Sequence, residues 1–189
     1  MARLDLIIPE RRAFMGKAGV LTLSAAAVAL LSGNEALAQG KAATAHDIDI
    51  LNTALGAEHQ AIAAYQVGAE SGLLSKSVLG VAVKFQSDHK EHAELLGKTV
   101  KKLGGKPAMA MKPADYKFPT DQLKSENDVL RFAAGLEKGA VSAYLGAVPL
   151  FGNKDLAKAA ASILGNEAMH WALLLQAIGE PADPVAFVS

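Results

Sequence analysis

The sequence predicts an all-α fold, a bundle of four helices arranged as two antiparallel hairpins joined by one long crossover. Three observations carry this. Four segments after residue 46 place apolar residues at steps of three and four. Two of the connections between them are short, whereas Gly104 to Lys124 is long, holds Pro107, Pro113 and Pro119, and has no periodicity. The two halves of the chain also repeat. Ala57-Glu58 through Ala64-Tyr65 aligns with Leu136-Glu137 through Ala143-Tyr144, and His92 and Leu95 align with His170 and Leu173. The Glu-to-His interval is 34 residues in the first half and 33 in the second. Two similar hairpins imply a pseudo-two-fold axis with a shared site beside it.

Residues 1–38 stand apart from that bundle. Arg11-Arg12-Ala13-Phe14-Met15-Gly16-Lys17 has the pattern of a twin-arginine export signal, an apolar stretch from Ala18 to Leu31 follows, and Ala36-Leu37-Ala38 supplies a small-x-small cleavage site. The apolar stretch falls short of the ~20 residues a membrane-spanning helix needs. The expected mature domain is therefore residues 39–189, carried by the twin-arginine translocation machinery to the periplasm or outside the cell. It keeps 15 of the 19 basic and 16 of the 19 acidic residues, a net charge of −1.

Each helix has its own start and stop signals. Asp47 or Asp49 is expected to cap the first, which runs to Gly72 with Leu51, Leu55, Ile62 and Tyr65 on one face. Ser75 or Ser77 starts the second, and Gly104-Gly105 ends it with Pro107 beyond. Ser125 with Asp128 resembles a capping box for the third, which Pro149 and Gly152 stop near Val148. Asn153 caps the fourth, closed by Gly179 and Pro181. The crossover is expected to run the length of the bundle and to start the third helix at the same end as the first.

Charge and composition exclude several functions. Lys+Arg and Asp+Glu both number 19, so no global field attracts nucleic acid or an anionic membrane. The absence of cysteine rules out disulfides, thiolate metal sites and Cys nucleophiles. No membrane association is expected of the mature chain, and an oligomer is neither indicated nor excluded.

The chemistry lies in the middle of the apolar stripes. The second helix reads Phe85, His89, His92, Leu96, Thr99, Leu103, and the fourth reads Ile163, Glu167, His170, Leu174. The first and third place Glu58 and Glu137 at the corresponding positions, with Tyr65 and Tyr144 two turns further on as core tyrosines, a redox or hydrogen-bonding role being the alternative. A carboxylate in an apolar interior costs several kcal/mol unless its charge is compensated. No Lys or Arg lies on these stripes, so a divalent metal is the natural partner for Glu58, Glu137 and Glu167. Without a metal the three carboxylates would face one another, and some would protonate. Mixed carboxylate and imidazole ligands suit iron, manganese or zinc better than calcium or magnesium. His59 lies about 100° round the helix from Glu58 and is expected to be a surface or supporting residue. Asp88 and Glu91 lie off the stripe.

One Glu on the first and third helices, with Glu-x-x-His on the second and fourth, is the pattern of the ferritin-like di-metal proteins, and this chain resembles them. Glu58, Glu137 and Glu167-x-x-His170 match residue by residue, and His92 matches on the second helix. His89 stands where the family has a Glu that bridges the two metals. The resemblance covers the whole mature domain and is nearest to small secreted ferritin-like proteins linked to desiccation or stress. It implies a six-residue metal set of Glu58, His89, His92, Glu137, Glu167 and His170, holding iron or manganese, with zinc also compatible. A neutral imidazole at position 89 is expected to bridge less well than a carboxylate and to weaken the second metal, which points to a single tightly held metal, an asymmetric or mixed pair, or a metal other than iron. Two functions are open: a redox metalloprotein acting on dioxygen or peroxide in stress protection, or a non-catalytic protein with a structural or vestigial site.

Overall fold

The computed structural model describes residues 41–188, which form four α-helices and no strand. The expected export signal and its boundary at residue 38 lie outside the described residues. Helix α1 spans Lys41–Glu70, α2 Lys76–Lys102, α3 Glu126–Ala147 and α4 Lys154–Ala177. Helix α1 packs along α2 and α3 along α4, and the two hairpins meet where α1 crosses α3.

The local signals mostly act as the sequence implies. At the end of α2, Gly104 N–H donates to Lys101 O and Gly105 N–H to Val100 O, with Gly104 at φ +84. A Cβ on Gly105 would lie 2.8 Å from Ile48 Cγ2, so the chain leaves α2 where only glycine fits. Ser125 Oγ accepts from Asp128 N–H, and the Asp128 carboxylate accepts from Ser125 Oγ and Lys124 N–H, which is capping-box chemistry. Asn153 Oδ1 accepts from the N–H groups of Asp155 and Leu156 at the start of α4. Ser75 sits at the N-cap of α2, but its hydroxyl caps nothing. Its own N–H donates instead to the Glu126 carboxylate of α3.

Two expectations are corrected. Asp47 is not the cap of α1, which is already helical at Lys41. Its buried carboxylate instead accepts from Gly152 N–H at 2.8 Å and Asn153 N–H at 3.1 Å, tying α1 to the turn that opens α4. The direction of α3 is also reversed from the expectation. The Ser75–Glu126 bond puts the start of α3 beside the end of α1, and the Asp47 bonds put the start of α4 beside the start of α1. The reason is geometric: α2 returns to the start of α1, so a crossover that then runs the length of the bundle arrives at the opposite end. Helices α1 and α3 are therefore antiparallel, and the pseudo-two-fold axis is perpendicular to the bundle.

The crossover is a strap. Asn52 of α1 donates to Lys106 O and accepts from Ala108 N–H, and His59 Nε2 lies 3.3 Å from Ala108 O. Two 3-10 turns, Pro113–Tyr116 and Thr120–Gln122, follow. Phe118 then packs against Tyr116 and edge-on to Phe132 of α3. Inside the bundle the apolar residues form two clusters. One holds Leu51, Leu55, Leu96, Val100, Tyr144, Leu156 and Ile163, and the other Tyr65, Phe85, Leu130, Trp171 and Leu174. Full burial of each large side chain contributes about 1.5–3 kcal/mol. A polar layer lies between the two clusters.

Candidate metal centre

All six residues singled out from the sequence meet in that layer. The side chains of Glu58, His89, Glu137, Glu167 and His170 are at most 2% exposed, and His92, at 11%, is the one that reaches the surface. His89 Nδ1 lies 2.8 Å from Glu58 Oε2 and its Nε2 3.3 Å from Glu137 Oε1. His92 Nδ1 is 2.9 Å from Glu167 Oε1 and 3.6 Å from Glu58 Oε2. His170 Nδ1 is 3.2 Å from Glu167 Oε2 and 3.5 Å from Glu137 Oε1. The donor atoms fall into two overlapping groups, each compact enough to hold one metal ion: Glu58, His89, His92 and Glu167, and His89, Glu137, Glu167 and His170. Both groups share His89 and Glu167.

The helices deliver these side chains by simple spacing. His89 and His92 stand three apart on α2, as Glu167 and His170 do on α4, so each pair projects from one face. The antiparallel run of α1 and α3 does the rest. Side chains on a helix lean toward its N-terminus, so Tyr65, two turns beyond Glu58, comes level with Glu137, and Tyr144 comes level with Glu58. Tyr65 Oη–H donates to Glu137 Oε1, and Tyr144 Oη–H donates to Glu58 Oε1 at 2.5 Å. Each hairpin thus supplies the hydroxyl that holds the other hairpin's carboxylate. Burial, and the charge of the facing carboxylate, push both phenols well above their ordinary pKa, so they stay protonated donors.

Asp88 is the residue sequence reasoning set aside. It is 14% exposed, and its Oδ2 lies 3.2 Å from His170 Nε2, the ring nitrogen pointing away from the cluster. Its partner His170 is on α4, 82 positions away, and no periodicity within α2 reveals that contact. Phe85 stacks on the same imidazole with centroids 3.9 Å apart. The orientation of His170 is thus fixed from two sides.

The charges do not behave as the sequence led one to expect. Burial disfavours the charged form of every group here, raising carboxylates and lowering imidazoles. Mutual contact outweighs it. Despite burial, Glu58 is drawn down to about 2 by His89 and His92, and Glu137 is lowered by His170 and His89. Despite burial, His89 is pushed up to about 11 by Glu137 and Glu58, His92 to about 9 by Glu167 and Glu58, and His170 to about 9 by Glu137 and Glu167. Glu58 and Glu137 each still share a compact donor group with Glu167, but three imidazoles interleave with the carboxylates.

Even so, the cluster is poorly satisfied as a hydrogen-bond network. Among the described residues, His92 Nδ1, His170 Nδ1, Glu137 Oε2 and both oxygens of Glu167 lack an aligned hydrogen-bond partner, although opposite charges lie close to them. Each such buried orphan costs about 1–3 kcal/mol. All five are buried potential metal donors, and they belong to a mixed Glu/His set of the kind that transition metals take. The residues present fit a metal ion.

The sequence of residues 46–180 matches the ferritin-like domain family. The fold is similar to the crystal structure of a conserved hypothetical protein from Mycobacterium tuberculosis, with a TM-score of 0.65 and 22% sequence identity over 72% of this chain and 93% of that one. At that identity the likeness concerns the fold alone. No curated protein matches the chain.

Proposed function

This chain belongs to the ferritin-like domain family, and from that premise we propose that it is an exported metalloprotein whose six Glu and His residues hold a pair of transition-metal ions. One ion would be held by Glu58 and His92, the other by Glu137 and His170, with His89 and Glu167 common to both. The observation that carries this reading is the pair of overlapping, buried donor groups, together with the five buried Glu and His atoms among these residues that have no aligned hydrogen-bond partner. Three imidazoles favour iron or zinc over manganese, which prefers carboxylate and water ligands. Iron or manganese, when bound, supplies one-electron chemistry toward dioxygen or peroxide, which suits a role in stress protection.

The chain's own residues have definite tasks in such a centre. Tyr65 and Tyr144 keep their protons on Oη: Tyr144 holds Oε1 of Glu58 and leaves Oε2 to His89 and His92, and Tyr65 anchors Glu137 by Oε1, the oxygen that also faces His89 and His170. Asp88 orients His170 from behind, the carboxylate–histidine arrangement that holds metal-bound imidazoles in place. The two apolar clusters exclude water above and below. Export rests on Arg11 and Arg12, the apolar stretch to Leu31 and the Ala36-Leu37-Ala38 site.

A second reading has its own support. Three imidazoles against three carboxylates neutralise the cluster without any metal, which suits a non-catalytic stress-protective protein with a vestigial site. One experiment separates the two: metal analysis of the purified protein, with its optical spectrum before and after peroxide. Stoichiometric iron or manganese and a peroxide-dependent spectral change support the redox reading. Bound metal without a spectral change leaves a structural or sequestering role. Protein that neither contains metal nor takes it up overturns the metal reading.

A further inference from the structure

The side chain at position 89 faces both halves of the centre at once. Its Nδ1 lies 2.8 Å from Glu58 Oε2 and 3.6 Å from Glu167 Oε1, on the side of His92. Its Nε2 lies 3.3 Å from Glu137 Oε1, on the side of His170. Glu167 is divided in the same way, with Oε1 toward His92 and Oε2 toward His170. These two residues alone belong to both donor groups. The ring of His89 is 1% exposed and boxed in by Tyr65, His92 and His170, with centroids 5.4, 6.0 and 5.6 Å away. It has no room to swing out and serve one side only.

We propose that His89 is the second bridge of the centre, an imidazolate that binds one metal ion through Nδ1 and the other through Nε2. This rests on the metal-binding reading above. The expectation of a weaker second site assumed a neutral imidazole with a single lone pair. An imidazolate has two, one on each ring nitrogen, aimed in the directions that Glu58 and Glu137 already occupy. Each bond from a ring nitrogen to an ion replaces an N–H bond, whose proton leaves to solvent, so neither nitrogen carries hydrogen once both ions are in place. No oxidation or reduction is involved. A carboxylate in this slot would offer two oxygens on one carbon. The imidazolate offers two nitrogens across a ring, so it sets the ions further apart than a double carboxylate bridge would. The ligand class follows: divalent ions that bind imidazole well, zinc and iron foremost, with copper and nickel also suited and manganese disfavoured.

The test titrates the purified, metal-depleted protein with zinc(II), after labelling its histidines with nitrogen-15. The count of bound zinc comes from native mass spectrometry and the protonation of each ring nitrogen from NMR. The chain has 5 histidines. The expected result is two zinc ions per chain and one imidazole with both nitrogens metal-bound and proton-free. That resonance pair disappears in His89→Gln, together with the second zinc. Two zinc ions with a proton retained on every imidazole overturn the bridge while leaving the metal reading intact, as does a single zinc. A His89→Gln variant that keeps both ions with unchanged affinity also overturns it. Where His89→Gln fails to fold, the wild-type spectrum decides alone. If no zinc binds and no other metal is found in the protein, the bridge falls together with the metal reading.

Discussion

Tyr144→Phe isolates one link of the polar layer. Tyr144 is 4% exposed, and its hydroxyl donates to Glu58 Oε1 across the junction between the two hairpins. The substitution removes a single oxygen, so the ring stays packed with Leu96 and Ile163 and the cavity left behind is smaller than a methyl group. What is lost is a hydrogen bond to a buried carboxylate, about 1.5–3 kcal/mol. Glu58 keeps His89 at 2.8 Å, so its charge is weakened in support but not abandoned. At ~2–4 °C per kcal/mol for a domain of this size, the melting temperature should fall by about 3–12 °C. The assay is thermal and urea unfolding of chelator-treated protein, so that changes in metal affinity do not enter. Tyr65→Phe should act in the same direction through Glu137, and the double variant should lose less than the sum, because both hydroxyls serve one coupled network. A Tyr144→Phe variant within about 0.5 kcal/mol of wild type, the usual scatter for a substitution that touches nothing important, would refute the cross-hairpin role of the tyrosines.

Three further outcomes are expected. Asp47→Ala leaves the amides of Gly152 and Asn153 without their acceptor and should destabilise the domain by about 2–4 kcal/mol, with faster hydrogen exchange in the first turn of α4; unchanged protection there would argue against the tie. Stability of the metal-free protein should peak between pH 4.5 and pH 6.5, the ordinary values of its glutamates and histidines. Glu58, held at about 2, stabilises above its ordinary 4.5, and that contribution is lost as pH falls toward 2. His92 and His170, raised to about 9, and His89, raised to about 11, stabilise fully below 6.5, and theirs is lost as pH rises through those values. A urea midpoint that climbs from pH 6.5 to 9 contradicts this. Replacing Arg11 and Arg12 together by Lys should leave precursor in the cytoplasm, and undiminished yield outside it on fractionation speaks against the export reading.

How much of this was legible in the sequence depends on whether the information is local. The caps at Ser125 and Asn153 and the glycine exit at Gly104-Gly105 involve residues within five positions of one another, and all were readable. The six centre residues were readable because helical period and internal repeat both point to them. Asp47 was misread because an acid near the start of an apolar run looks like a cap, whereas its partners lie 105 and 106 positions away. Asp88 was set aside because α2 alone puts it on the wet side, and only the approach of α4 covers it. The crossed tyrosines needed the direction of α3, which the repeat does not encode: two like hairpins can be related by an axis along the bundle or across it. The charge state was missed for a related reason. Counting three carboxylates suggests repulsion, and only their alternation with three imidazoles turns the cluster into a self-compensating one.

Of the six side chains in the centre, His92 is the most open to solvent, at 11% of its surface, while the other five are at most 2% exposed. Traffic to and from the interior therefore passes the edge of one imidazole or waits for α2 to open locally, an event with its own free-energy cost. On the proposed metal reading, such a bottleneck would leave the identity of the occupant to be decided by rates. An ion admitted while the bundle was assembling would stay on after the surroundings had changed, and a tighter-binding competitor arriving later would be held off by the slowness of exchange. The protein would then carry a record of the ions present when it folded, and two preparations of identical sequence, grown in different media, would differ for as long as the bundle stayed closed.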